Sequence, residues 1–63
     1  MLYIINTECG LAEIEASSLS HAKEIYQHKY DFDFDAVDEI EGSWYWIEDE
    51  HGDRVEQNTS DMP

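Results

Sequence analysis

Asp31-Phe32-Asp33-Phe34-Asp35-Ala36-Val37-Asp38-Glu39-Ile40-Glu41-Gly42 is the stretch that decides the fold. Its first six residues alternate acid with apolar at a period of two, the repeat of a strand with one wet face. Aspartate is a poor strand former. Even so, the alternation turns Phe32, Phe34 and Ala36 inward and Asp31, Asp33 and Asp35 toward water. Read this way, residues 31–36 are a strand, and Val37 to Glu41 either extends it or turns away before the break at Gly42-Ser43.

On the N-terminal side, Leu2 to Ile5 is a short apolar run that ends in the turn-like Asn6-Thr7-Glu8-Cys9-Gly10. Leu11 to Ala16 then alternates, with Ala12, Ile14 and Ala16 sharing one face. The two runs predict a β-hairpin. Ser17 and Ser18 are natural helix caps. Leu19, Ala22, Ile25, Tyr26 and Tyr30 recur at helical spacing, which predicts an amphipathic helix over residues 19–30 with Lys23, Glu24 and Lys29 toward its wet side. On the C-terminal side, Trp44 to Glu48 is a run of strand formers and Val55 to Gln57 a weaker one. The loop Asp49-Glu50-His51-Gly52-Asp53 joins them. The expected fold class is α+β: an antiparallel sheet packed on one helix, in the order β-β-α-β-β-β. Residues 1–57 are expected to form one compact domain and residues 58–63 a frayed tail. Starting at Met and running directly into a strand, the chain reads as a complete small protein.

Charge is the other dominant property. Sixteen Asp and Glu stand against three Lys and Arg, a net charge of −13 on 63 residues. Residues 1–30 hold four acids and two lysines, whereas residues 31–63 hold twelve acids and one arginine. A folded chain of this length has a radius of gyration of roughly 11 Å. Over such a body the charge comes to about one per 2 Å, near the roughly one per 1.7 Å of duplex DNA. Acidity of this degree often means disorder, but 41% hydrophobic and 13% aromatic residues argue for a packed core. A protein so charged repels nucleic acid and attracts whatever binds it. One cysteine, Cys9, excludes an internal disulfide and suits a reducing compartment. The N-terminus has neither the charged start nor the long apolar run of a signal or membrane segment, so the expected location is the cytoplasm.

Several motifs invite chemistry and fail on spacing. The Asp31-Phe32-Asp33-Phe34-Asp35 run suggests a calcium loop. Such a loop needs glycine at its sixth position and glutamate at its twelfth, where this chain has Ala36 and Gly42. Cys9 would need a positioned base to act as a nucleophile, and nothing in the spacing ties His21, His28 or His51 to it. His21 and His28 are seven apart, not the three or four of a helical metal pair. No cofactor, metal ligand or catalytic residue is expected. Arg54, among many acids, reads as a local ion-pair partner.

What remains is the placement of the acids. On a strand, Asp31, Asp33 and Asp35 would stand roughly 6.6 Å apart in a line. Asp38, Glu39 and Glu41 follow, and Glu48, Asp49, Glu50 and Asp53 form a second cluster around the hairpin loop. The plain alternative is a solvated acidic surface. Yet eleven acids within residues 31–56 suit a surface that imitates phosphates. Trp44 and Trp46 share one face of their strand while Tyr45 and Ile47 share the other. One pair must therefore lie outside the core, where it can back the sheet or anchor a partner.

With the acidic segments DFDFDAVDEIEG and WIEDEHGDRVE in so short a chain, the sequence resembles the small acidic phage proteins that block host defence by imitating DNA, and most of all the anti-CRISPR proteins directed at type I-C surveillance complexes. The resemblance implies a non-enzymatic inhibitor in the cytoplasm of a bacterial host. It would occupy the basic DNA-recognition groove of a Cascade-type effector and keep target DNA from docking. From charge placement, the expected contacts are Asp31, Asp33, Asp35, Asp38, Glu39, Glu41, Glu48, Asp49, Glu50 and Asp53, with Trp44 or Trp46 as anchors. The partner is a basic nucleic-acid-binding protein, with no direct nucleic-acid or membrane contact. The inhibitor itself would be a monomer or homodimer. The competing expectation is a small interaction module that dimerises through its aromatic sheet face, with acidity serving solubility.

Overall fold

Residues 2–15 form the hairpin expected from the apolar run and the alternating run that follows it. The structure, a computed structural model, describes residues 1–58. β1 (Leu2–Thr7) and β2 (Gly10–Glu15) pair antiparallel, with Tyr3 opposite Ile14 and Ile5 opposite Ala12. α1 spans Leu19–Tyr30, a 3-10 helix spans Phe34–Glu39, and β3 (Tyr45–Asp49) and β4 (Arg54–Asn58) complete the chain. All neighbours in the four-stranded sheet are antiparallel, in the order β2-β1-β3-β4. The radius of gyration is 10.9 Å. β4 extends to Asn58, and the rest of the expected tail, residues 59–63, lies outside the described residues.

α1 starts and stops on local chemistry. Ser18, in extended backbone, accepts a hydrogen bond from the His21 amide at 3.2 Å, which satisfies one of the free donors of the first turn. At the other end Asp31 adopts the left-handed conformation, φ 53°. The Phe32 amide reaches back to the Gln27 carbonyl at 3.2 Å, the wrap-around bond that ends a helix in this conformation. Ala22 and Tyr26 are buried against the sheet.

The expected third strand does not exist, so the order is β-β-α-β-β with a 3-10 helix between α1 and β3. Two physical causes override the alternation. The Asp33 carboxylate accepts a hydrogen bond from the Asp35 amide at 2.9 Å, a local bond that competes with ladder pairing and starts the 3-10 turn. The sheet also needs more cover than one helix provides. Four strand axes span about 14 Å, whereas one helix with its side chains is about 10 Å across. α1 lies over β1 and β2. Phe32, Phe34 and Val37 fill the remainder, with Phe34 edge-on to Tyr45 at 4.9 Å and to Phe32 at 4.8 Å. In a 3-10 helix, positions three apart align. Phe34 and Val37 therefore point inward together, and Asp35 and Asp38 point outward together.

The core is the inner sheet face, α1 and this 3-10 segment: Tyr3, Ile5, Ala12, Ile14, Ala22, Tyr26, Phe32, Phe34, Val37, Tyr45 and Ile47 among others. One polar chain threads it. The Cys9 amide donates to Thr7 Oγ1, Thr7 shares a 2.8 Å hydrogen bond with the Tyr26 hydroxyl, and Tyr26 donates to the Gly10 carbonyl at 2.6 Å. The buried phenol thus ties α1 to the β1–β2 turn. Burial raises its pKa above the ordinary value.

Candidate acidic interface

The ten nominated carboxylates fall into three places. The first is the 3-10 segment and its flanks, where Asp31, Asp33, Asp35, Asp38, Glu39 and Glu41 are all exposed. The 2.0 Å rise per residue sets Asp35 and Asp38 about 6 Å apart along the axis. That is close to the spacing expected of a strand, but it is reached through a different backbone. Asp33 is engaged in capping, and Asp38 accepts a hydrogen bond from the Asn58 side chain at 2.5 Å. Glu39 and Glu41 flank Ile40, which is 52% exposed.

The second place is the β3–β4 loop. Asp49 is part of the loop's framework, since its Oδ1 accepts from the His51 amide at 2.8 Å and the Asp53 amide at 3.1 Å. Gly52, at φ 84°, takes the left-handed position that a side chain would strain. Glu50 and Asp53 project from this loop, exposed. The 3-10 segment packs at the Tyr45 end of β3, whereas the loop lies at the Asp49 end, about 13 Å away along the strand. The two acidic segments therefore sit at opposite ends of one hairpin, not side by side.

The third place is the outer face of the sheet, where Glu48 stands half-buried. Across the strands, Glu13, Ile4, Glu48 and Arg54 form one row, and Leu11, Asn6, Trp46 and Gln57 the next. Trp44 and Trp46 stack on this face with ring centres 5.0 Å apart and planes at 19°. Both are half-buried, so the outward pair is the tryptophans, and Tyr45 and Ile47 are the core pair. Leu11 beside them is 61% exposed. A bulge at Val55 shifts the register so that Arg54 faces Glu48 on this side. Arg54 lies 4.6 Å from the Trp46 ring centre and donates to Gln57 at 3.0 Å. It forms no ion pair with a carboxylate among the described residues, contrary to its expected role. Asn6 Nδ2 is enclosed on the same row without a hydrogen-bond partner among the described residues.

Three polar features were not foreseen. Glu8 pins the entry to β3, accepting from Ser43 Oγ at 2.8 Å and the Trp44 amide at 3.1 Å. Lys23 is not on the wet side of α1. Its ammonium lies 2.6 Å from Glu56 and close to the Phe34 and Tyr45 rings, at 5.3 and 5.7 Å from their centres. Glu56 also accepts from the Tyr45 hydroxyl at 2.9 Å. Burial alone would raise the Glu56 pKa, but the Lys23 and Tyr45 hydrogen bonds outweigh it and the net shift is downward. Burial, the bond to Glu56 and the nearby charges of Glu56, Asp38 and Asp35 push Tyr45 up to about 12. Glu56 faces inward only because of the bulge at Val55, which no residue pattern announces.

Beside this cluster, a shallow open groove of about 220 Å³ is lined by Ser20, Lys23, Glu24, Gln27, Phe34 and Asp35. Its one cation is already held by Glu56. Cys9 is exposed in the β1–β2 turn. Among the described residues, no group of three or more His, Cys, Asp or Glu is placed to hold a metal ion. None of their helices is long and apolar enough to cross a membrane. No family model, no curated protein and no solved structure matches the chain.

Proposed function

We propose that this protein is a non-enzymatic acidic decoy. It occupies the basic nucleic-acid-binding groove of another protein and excludes the nucleic acid. The observation that supports this most is where the cations go. Lys23 is held by Glu56, Arg54 lies over Trp46, and Lys29 lies 5.7 Å from the Tyr30 ring centre. None of the ten nominated carboxylates forms an ion pair with a described cation, and eight of the ten are exposed. Such uncompensated charge favours a groove that normally holds phosphates. The partner class is a basic nucleic-acid-binding protein, and the resemblance makes the type I-C Cascade effector in a bacterial cytoplasm the first to try.

Glu39 and Glu41 give the cleanest test, because both are exposed and neither side chain has a hydrogen bond or ion pair among the described residues. Glu39→Lys with Glu41→Lys changes the local charge by four units. At ~0.2–1 kcal/mol per exposed charge, the affinity for the target should fall at least about fourfold. The circular-dichroism spectrum should stay unchanged. Undiminished displacement of DNA from the target by this variant would rule the decoy out.

A second reading, a module that dimerises through its aromatic face, draws on the half-exposed Trp44–Trp46 stack. Light scattering separates the two. A dimer that Trp44→Ala dissociates would favour the module.

A further inference from the structure

The outer sheet face, where the decoy reading places its aromatic anchors, carries a cation contact that acidity alone does not explain. It holds a stacked tryptophan pair, exposed Leu11, half-buried Ile4 and a flanking row of carboxylates, with no layer over it among the described residues. The structure also shows what these rings accept. The Arg54 guanidinium rests 4.6 Å from the centre of Trp46, within the range of a cation–π contact, which arginine makes more often than lysine. The bulge at Val55 is what turns Arg54 to this side.

We propose that this face is a contact surface for a protein partner presenting arginine side chains, with Trp44 and Trp46 as its seat and Glu13 and Glu48 as flanking acceptors. It rests on the decoy reading in one respect, that the partner is basic. Charge complementarity selects that occupant. A second copy would bring another −13 against this one and oppose association, whereas an arginine-bearing surface gains from both the rings and the carboxylates. Guanidinium stacking adds what bare acidity lacks, a preference between cations of equal charge.

The native chain is titrated with a blocked peptide of alternating arginine and glycine, and separately with its lysine counterpart, at one ionic strength. Tryptophan emission and calorimetry are the readouts. Both tryptophans of the chain stand at this site, so emission reports on it alone. The arginine peptide should give a saturable emission change and bind about two- to fivefold tighter than the lysine peptide. Arg54→Gln removes the resident guanidinium from an exposed position. It should tighten arginine-peptide binding by a similar factor, and an unchanged affinity would overturn the rings as the seat. Equal binding of the two peptides without an emission change would overturn the proposal and leave the decoy reading standing. Sedimentation showing a dimer that quenches the tryptophans would overturn it in favour of a second copy. Arginine-selective binding without displacement of DNA from the target would sink the decoy reading alone.

Discussion

Asp31 carries two burdens. It is a non-glycine residue in the left-handed conformation, which costs most side chains about 1 kcal/mol. Its negative charge also sits at the helix C-terminus, where the macrodipole is negative too. Asparagine tolerates this conformation and carries no charge. Asp31→Asn should therefore stabilise the fold by ~0.3–1 kcal/mol, or about 1–8 °C in Tm, measurable by thermal denaturation. A drop in Tm would mean that Asp31 has a favourable contact in solution. The residues at this scale were legible in part. A serine cap at Ser17 or Ser18 and one outward aromatic pair follow from type and position, and the structure selects Ser18 and the two tryptophans. The framework roles of Glu8 and Asp49 depend on loop geometry that no pattern announces.

At the scale of elements, the 3-10 segment replaces a strand and completes the inner layer. Phe34 packs on Tyr26, Phe32 and Tyr45 and is 7% exposed. Phe34→Ala should cost about 3–4 kcal/mol, read as a fall in the urea midpoint. A loss under 1 kcal/mol would show that the segment covers nothing essential. The Lys23–Glu56–Tyr45 cluster that joins α1 to β4 sets two pH limits. The Glu56 pKa is depressed, so its contribution is present above its ordinary 4.5 and is lost as pH falls through the folded value. Tyr45 is raised to about 12, so its contribution is present below pH 10 and is lost between 10 and 12. Tyr45→Phe should flatten much of the alkaline loss and leave the smaller share due to Tyr26. An unchanged alkaline limit would contradict the assignment. The hairpin and the helix were legible because their periods and caps agree. Residues 31–36 were misread because a two-residue alternation of Asp and Phe serves an Asx-capped 3-10 turn equally well. The choice between the two lay in the width of the sheet, a tertiary fact.

For the whole molecule, the net charge of −13 acts on both folding and binding. Within the fold the carboxylates repel one another, mostly without compensating cations, so salt should stabilise the domain by screening. Toward a basic groove the same charge attracts, so salt should weaken the complex. The acids do not form the single ruled line that an extended strand would make. They occupy both ends of the β3–β4 hairpin and its outer face, on a body of 31 × 23 × 16 Å. A partner groove would therefore grip the hairpin lengthwise, with the tryptophans between the two acidic ends.

The decisive measurement is the affinity for the type I-C Cascade effector as a function of salt, with Tm followed in the same buffers. Affinity should fall steeply and linearly on a logarithmic scale while Tm rises. An affinity that stays flat from low to high salt would contradict the decoy reading.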